Sequence, residues 1–122
     1  MGGFGTWNAI WNRPNFFAAA IPSTGCLFPQ FDREKIKHIP IWAFHGSDDT
    51  VVDYDWGKQL FLQMKAIGAN MKFTSIQDIG HSASQYAFSY QGDHTKAQTE
   101  LGSEKCDPTP NSLDWLFRQI KN

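Results

Sequence analysis

The stretch at residues 39–52, IPIWAFHGSDDTVV, constrains the fold more than any other part of the chain. Its apolar first half is too short to cross a membrane and has the length of a strand that is buried on both faces of a sheet. Gly46 ends this run, and Ser47, Asp48 and Asp49 crowd into the turn that follows. Because open α/β sheets place their chemistry at the carboxyl ends of parallel strands, the sequence predicts a functional site at this turn.

A second polar turn, DIGHS at residues 78–82, follows another strand-like run at residues 71–77. This run, MKFTSIQ, alternates apolar and polar residues, which predicts a strand less buried than the first. If the two strands are parallel neighbours, the carboxylate of Asp49 and the imidazole of His81 emerge side by side. They would supply two of the three groups of a hydrolase triad, whereas a nucleophile has no evident source in the sequence.

The N-terminal segment, residues 1–13, has the spacing of a helix, and Pro14 ends it. Gly2, Gly3 and Gly5 are poor helix formers, so we expect them to allow a close approach between the helix start and another backbone segment. Their spacing fits neither of the common phosphate-binding glycine motifs. The apolar residues recur every three or four positions and form one face of the helix: Phe4, Trp7, Ile10 and Trp11.

The middle of the chain predicts alternating strands and helices. Residues 16–21, FFAAAI, predict a second buried strand, although their three alanines would also suit a helix. Residues 54–67 predict a helix that Asp53 caps and Gly68 stops. Residues 82–90 predict a short helix behind His81.

The C-terminal third combines a polar segment with a last helix. Residues 91–110 are polar and aperiodic, which predicts a surface insertion. Thr109 and Pro110 predict the cap and first position of the last helix. The whole order predicts one α/β domain over residues 1–122, with about three parallel strands and flanking helices. The predicted buried stripe of the last helix comprises Leu113, Leu116, Phe117 and Ile120.

The composition argues against several classes of function. The net charge of −1 gives no electrostatic case for binding nucleic acid or an acidic membrane surface. No apolar run approaches 18 residues, so no membrane span is expected. The N-terminal glycines stand where a secretory signal would have its basic region, and the sequence leaves the compartment open. Cys26 and Cys106 lack metal-ligand spacing, and whether they pair stays open. No cofactor is predicted.

Five blocks stand out in order along the chain: MGGFGTW, PNFFAAAIPSTG, IPIWAFHGSDDTVV, IGHS and LDWLFRQ. Together they resemble the C-terminal half of α/β-hydrolases. In that family a nucleophilic serine lies in a G-x-S-x-G elbow, and the residue matching Met1 follows it. The resemblance implies a partial α/β-hydrolase fold that begins just after the elbow, most similar to esterases and predicted peptidases related to feruloyl esterases and dienelactone hydrolase.

The resemblance also implies a role for three residues. Asp49 matches the triad acid, His81 matches the general base, and Met1 matches the residue whose backbone N–H contributes to the oxyanion hole. A serine hydroxyl needs an imidazole to take its proton, and the imidazole needs a carboxylate to fix its tautomer. The serine has no counterpart here. We therefore expect a fragment that is inactive alone towards the small acyl-ester or peptide-like substrates of the family.

Other residues compete for these roles. Asp48 is the alternative triad acid, and His45 fits a strand-end residue with local hydrogen bonds better than a second base. Ser23 and Ser82 are predicted near the same edge of the sheet, but neither lies in an elbow, which argues against a replacement nucleophile.

Three further interpretations stay open. A metal held by Asp93, His94 and His81 is weakly supported, because nothing fixes the spacing of these residues, and no metal is predicted. A non-enzymatic alternative is a truncated protein that self-associates through the exposed edge of the strand at residues 16–21, which predicts a homo-oligomer. A weaker one is a small-ligand binding module in the cleft between the loops of Asp49 and His81.

Overall fold

The computed structural model describes residues 2–28 and 30–120, and within them a three-stranded sheet packs between helices. The predicted α/β class is confirmed. The strands are β1 (Ile41–Gly46), β2 (Met71–Ile76) and β3 (Ala97–Leu101). The helices are α1 (Gly2–Asn12), α2 (Tyr54–Ala66), α3 (Ser84–Ala87) and α4 (Ser112–Ile120), with 3₁₀ turns at Arg33–Ile36 and His81–Ala83.

The topology of the sheet places the ends of β1 and β2 together. These strands are parallel neighbours connected through α2, and their register pairs His45 with Ser75 and Gly46 with Ile76. Their carboxyl ends therefore lie at the same edge, which we call the rim. β3 pairs with β2 in the antiparallel direction. This strand forms inside residues 91–110, where an aperiodic insertion and no strand was predicted. Among the described residues the sheet therefore has two parallel strands and one antiparallel strand, whereas about three parallel strands were expected.

The strand predicted at residues 16–21 is not formed. Phe16 is 73% exposed, and the chain joins β1 only later, where Ala20 and Ser23 form isolated parallel bridges with it. Pro22 lies between these bridges and has no N–H to donate, so the ladder does not extend into a regular strand.

The two faces of the sheet bury separate cores. On one face, alternate residues of β1 and β2 pack against the apolar sides of α1 and α2. On the other face, Trp42, Phe44, Tyr90 and Trp115 form an aromatic cluster with the residues around α3. Both strands are therefore almost entirely buried. β2 is less buried than β1, as predicted, but only slightly, since Ser75 is its one half-buried residue and even Lys72 is only 2% exposed.

The first two helices follow their sequence patterns. Trp7 and Ile10 of α1 are buried in the core, and a Cβ at Gly3 would clash with the backbone of Gly25, which confirms the predicted close approach for that glycine. Asp53 caps α2 by accepting a hydrogen bond from the N–H of Asp55 at 3.0 Å. Gly68, with a φ of 71°, follows that helix as predicted.

The start and the buried face of α4 differ from the prediction. Asn111, not Thr109, caps it, because the Asn111 side chain accepts hydrogen bonds from the N–H groups of residues 113 and 114. Leu113 and Phe117 are 42% and 61% exposed, whereas Trp115 is 1% exposed. Relative to the predicted orientation, α4 is rotated about its axis, because Trp115 packs edge-on against Trp42 with ring centroids 5.6 Å apart. The side chain of Ile120 lies outside the part of the chain that the structure describes.

Two further observations bear on the sequence predictions. Cys26 and Cys106 are both free and buried, so they do not form the disulfide that the sequence left open. Within residues 2–28 and 30–120, every helix is too short or too polar to cross a bilayer.

Candidate active site

Asp49 lies in the turn after β1 and its carboxylate is held by the backbone of that turn. Oδ1 accepts hydrogen bonds from the N–H groups of Val51 and Val52, both at 2.9 Å. This is a local side chain to backbone arrangement that Asp favours in turns. The side chain is fully buried. Its orientation is therefore fixed, and the second oxygen, Oδ2, is directed away from these two donors.

The turn after β2 brings His81 to that second oxygen. The two turns are joined by backbone hydrogen bonds, since Ser47 N–H donates to Ile76 and Asp48 N–H donates to Ile79. Nδ1 of His81 lies 3.2 Å from Oδ2 of Asp49, and the His81 side chain is 39% exposed. The structure thus brings together the two residues that the sequence placed at one rim.

The geometry indicates where the proton of His81 resides. A carboxylate only accepts hydrogen bonds, so Nδ1 carries the N–H that donates to Asp49. In the neutral ring Nε2 then has a free lone pair, and no hydrogen bond to Nε2 occurs among the described residues. A half-exposed imidazole with a fixed Nδ1–H and an available Nε2 is able to take a proton from a neighbouring hydroxyl.

His45 is a second imidazole at the same carboxylate. Its Nε2 lies 2.8 Å from the carbonyl oxygen of Val52 and 3.5 Å from Oδ2 of Asp49. The residue is 1% exposed, and burial lowers its pKa from the ordinary value of 6.5. The predicted local hydrogen bond is confirmed. The proximity of His45 to Asp49 was not predicted, although a His and an Asp four residues apart across a tight turn could have indicated it.

The competing residues are not joined to His81. Asp48 and Ser82 are exposed, and the Ser23 hydroxyl is buried without a hydrogen-bond partner. Among the described residues, the hydrogen bonds of the His81 ring reach only Asp49. Met1, for which an oxyanion role is predicted, lies outside the described residues.

Asp93 and His94, the alternative metal ligands, are engaged elsewhere. Asp93 accepts hydrogen bonds from the Tyr90 hydroxyl and from both the N–H and the hydroxyl of Thr99. Nδ1 of His94 accepts one from the N–H of Lys96 at 3.3 Å. No group of three metal-ligating side chains occurs in the part of the chain that the structure describes.

A cavity of about 410 Å³ opens between the end of β2, α3 and the loop before β3. Its volume is that of a small-molecule site. Its wall includes Asp78 and Ile79 but neither Asp49 nor His81. The cavity therefore lies beside the turn that carries His81, but it is separate from the Asp49–His81 pair. The apolar part of the wall comprises Ile76, Ile79, Tyr86, Tyr90 and Ala97.

Known proteins resemble this chain over part of their length. It is 43% identical to acyl-protein thioesterase 1 of Candida albicans over 47 residues, which are 38% of this chain and 20% of that protein. It is 28% identical to carboxylesterase SOBER1 of Arabidopsis thaliana over 86 residues, 70% of this chain and 37% of that protein. No protein-family model matches the chain.

Solved structures resemble it too. A thermostable esterase superposes with a TM-score of 0.60 and 42% identity, covering 63% of this chain and 20% of that one. A variant of SOBER1 gives a TM-score of 0.54 and 27% identity, with coverages of 66% of this chain and 41% of that one. The homologues of this chain are esterases and thioesterases with the α/β-hydrolase fold.

These homologues confirm the predicted resemblance to α/β-hydrolase esterases. The chain spans 20% to 37% of the length of the two curated relatives described above. The relation to peptidases, the roles of individual residues and the predicted oligomer stay predictions.

Proposed function

We propose that this chain carries the acid and the base of a serine esterase or thioesterase site and corresponds to the C-terminal part of an α/β-hydrolase. The observation that carries this proposal is the 3.2 Å approach of His81 Nδ1 to the buried carboxylate of Asp49. The substrates would be carboxylic esters or related acyl compounds, in keeping with the esterase and thioesterase homologues. Peptide-like acyl substrates, which the sequence also suggested, belong to the same proposal.

In the complete site, Nε2 of His81 would remove the proton of a serine hydroxyl as its oxygen attacks the acyl carbon. The same nitrogen would then pass this proton to the leaving alcohol or thiol, and a water molecule would release the acid by the reverse sequence. Asp49 would stay ionised, hold the Nδ1–H tautomer and stabilise the imidazolium. The 122 residues contain no G-x-S-x-G elbow, so the nucleophile is not supplied by this sequence.

The first test uses the purified 122-residue chain and p-nitrophenyl butyrate. We expect no turnover above that of buffer, because the covalent route needs a serine that this sequence lacks in the required setting. A rate above buffer that disappears in His81→Ala would contradict the proposal, since it would mean that another group in the chain serves as nucleophile.

The second test supplies the serine. The part of SOBER1 that precedes its match to this chain, where the serine elbow of the family is expected, is joined to residues 1–122, and hydrolysis of the same ester is measured. We expect Asp49→Asn to lower kcat by about 10⁴-fold, the effect of the equivalent change in a serine protease triad. The matched control is Asp48→Asn, which removes the exposed neighbouring carboxylate and should leave kcat unchanged. Equal losses in both variants would exclude Asp49 as the triad acid.

The alternative is a non-enzymatic protein that self-associates through the edge beside β1. Here the backbone groups of Ala20, Pro22 and Thr24 bond to β1, so those of Ile21 face the other way, whereas the Ser23 carbonyl oxygen lies against Gly3 at the start of α1. Unpaired outward peptide groups at a sheet edge are a template for another strand. Multi-angle light scattering of the purified chain tests this alternative, which a monomer would contradict.

A further inference from the structure

His45 is locked in place at the end of β1. Its ring is 1% exposed and lies edge-on to Tyr54, with centroids 5.7 Å apart. The backbone of Gly57 covers the opposite nitrogen, because a Cβ at Gly57 would come within 2.5 Å of Nδ1. The packing of α2 against the ring and the contact of Nε2 with the Val52 carbonyl leave this imidazole little freedom to rotate.

The hydrogen bond to Val52 assigns the proton of this ring. A carbonyl oxygen only accepts, so the 2.8 Å contact requires an N–H at Nε2 of His45. Burial lowers the pKa of His45, which favours the neutral ring. His45 therefore acts as a fixed hydrogen-bond donor and not as a base.

The same N–H connects the turn to the carboxylate. The peptide groups of Val52 are held on both sides, because its N–H donates to Oδ1 of Asp49 while its carbonyl accepts from His45. Nε2 of His45 also lies 3.5 Å from Oδ2, the oxygen that faces His81. Two imidazoles thus approach one carboxylate oxygen, one from the buried side and one from the half-exposed side.

We propose that His45 is a positioning residue for His81. Its N–H at Nε2 fixes the Val52 carbonyl and lies against Oδ2 of Asp49, so that this oxygen keeps facing Nδ1 of His81. This inference rests on the proposed function, in which Asp49 holds the reactive tautomer of His81. It assigns His45 to the machinery of the site without any direct contact with the substrate.

The experiment is nuclear magnetic resonance on the ¹⁵N-labelled 122-residue chain. The imidazole ¹⁵N shifts of His81 report its tautomer, and the exchange of its Nδ1 proton with water reports how firmly Asp49 holds it. In His45→Leu we expect this exchange to accelerate about tenfold, the factor that corresponds to the loss of one hydrogen bond. We also expect a mixture of tautomers in place of the Nδ1–H form.

A second pair of variants covers the case in which His45→Leu does not fold. His45→Gln places an amide N–H near the position of Nε2, whereas the shorter side chain of His45→Asn does not reach it. We expect exchange within about threefold of the original chain for Gln and the full acceleration for Asn. Met64→Ala is the control for a structural effect alone, since it opens a cavity in the core beside α2 and should leave the His81 signals unchanged.

The outcomes separate the two proposals. If Asp49→Asn leaves the His81 tautomer and exchange unchanged, Asp49 does not hold His81, and both the proposed function and this inference fail. If Asp49→Asn changes them but folded His45→Leu or His45→Asn does not, only the role of His45 is overturned. Acceleration in Met64→Ala equal to that in His45→Leu would likewise overturn it, because the effect would then follow stability and not the N–H.

Discussion

The carboxylates of Asp49 and Asp107 are both rich in hydrogen bonds, yet their surroundings differ in kind. Asp107 accepts from the N–H and hydroxyl of Thr109, from Arg118 at 2.7 Å and from Gln119 at 3.0 Å. Burial alone would raise its pKa, but these hydrogen bonds outweigh burial and hold the pKa well below its ordinary value. All of these donors come from the adjoining loop and from α4.

Asp49 uses its two oxygens differently. Oδ1 is satisfied by the backbone, whereas Oδ2 faces His45 on the buried side and the half-exposed His81 on the other. The comparison teaches how to separate a structural acid from a candidate site. A carboxylate whose donors all belong to the loop and helix that it joins closes the fold, whereas one that directs an oxygen at an accessible imidazole can serve chemistry.

Lys72 extends the structural group around Asp107. Its Nζ lies 3.4 Å from the centroid of the Trp42 ring and donates to the carbonyl oxygens of Asp107 and Thr109. We call Lys72, Asp107, Thr109, Arg118 and Gln119 the Asp107 cluster. It attaches the loop before α4 to the start of β2, at the opposite end of that strand from the rim.

The largest loss of stability is expected from a substitution at the rim. A Cβ at Gly46 would clash with the carbonyl oxygens of Ile79 and Gly80, so Gly46→Ala must push apart the turns that carry Asp49 and His81. We expect a loss of about 3 kcal/mol in the free energy of unfolding, measured with urea.

The matched control for that prediction is Gly80→Ala. There the added Cβ meets only the carbonyl oxygen of Asp48 at 3.7 Å, an ordinary contact. We expect a change within about 0.5 kcal/mol. Equal losses in the two variants would mean that the close approach at Gly46 does not hold the turns together.

The next effect tests whether the Asp107 cluster is structural. Asp107→Ala removes the acceptor of both the N–H and the hydroxyl of Thr109, so we expect a loss of about 2 kcal/mol at pH 7. Because the pKa of Asp107 is lowered on folding, its contribution is present above the ordinary value of 3.8 and lost as the pH falls below it. Urea unfolding from pH 7 to pH 3 should therefore show a weaker acid dependence in Asp107→Ala, and an unchanged dependence would contradict this account.

At alkaline pH, Lys72 of the same cluster is expected to change the stability by a similar amount. Burial lowers the pKa of Lys72 from 10.5 to about 8, so between these values the unfolded chain binds the extra proton and stability rises with pH. We expect a gain of up to about 2 kcal/mol between pH 7.5 and pH 10 from this residue. The measurement is the difference in urea unfolding between the original chain and Lys72→Met, which cancels other titrating groups, and parallel pH profiles would refute the assignment.

The smallest effect is expected at the residue proposed for chemistry. His81 is 39% exposed and closes no part of the core, so His81→Ala should change the free energy of unfolding by no more than about 0.5 kcal/mol. The same substitution should abolish hydrolysis in the chimera described above. If His81→Ala lost as much stability as Asp107→Ala, the Asp49 region would be structural in the same way as the Asp107 cluster, which would contradict the comparison.

The sequence alone determined the elements whose signals are local. The continuous apolar run before Gly46 specifies a strand buried on both faces, and Asp53 and Gly68 mark the ends of α2 through cap chemistry. Two such strands in parallel bring their carboxyl ends together, and for this reason the meeting of Asp49 and His81 could be predicted.

Only the tertiary structure decided which faces are buried and which distant groups meet. β3 forms in a polar segment because β2 offers it an antiparallel edge, where Thr74 and Thr99 share a hydrogen bond. Trp115 rather than Phe117 turns inward because Trp42 is there to receive it. The burial of Lys72 and the contact of His45 with Asp49 depend on residues brought together by folding, and a local pattern carries no record of such partners.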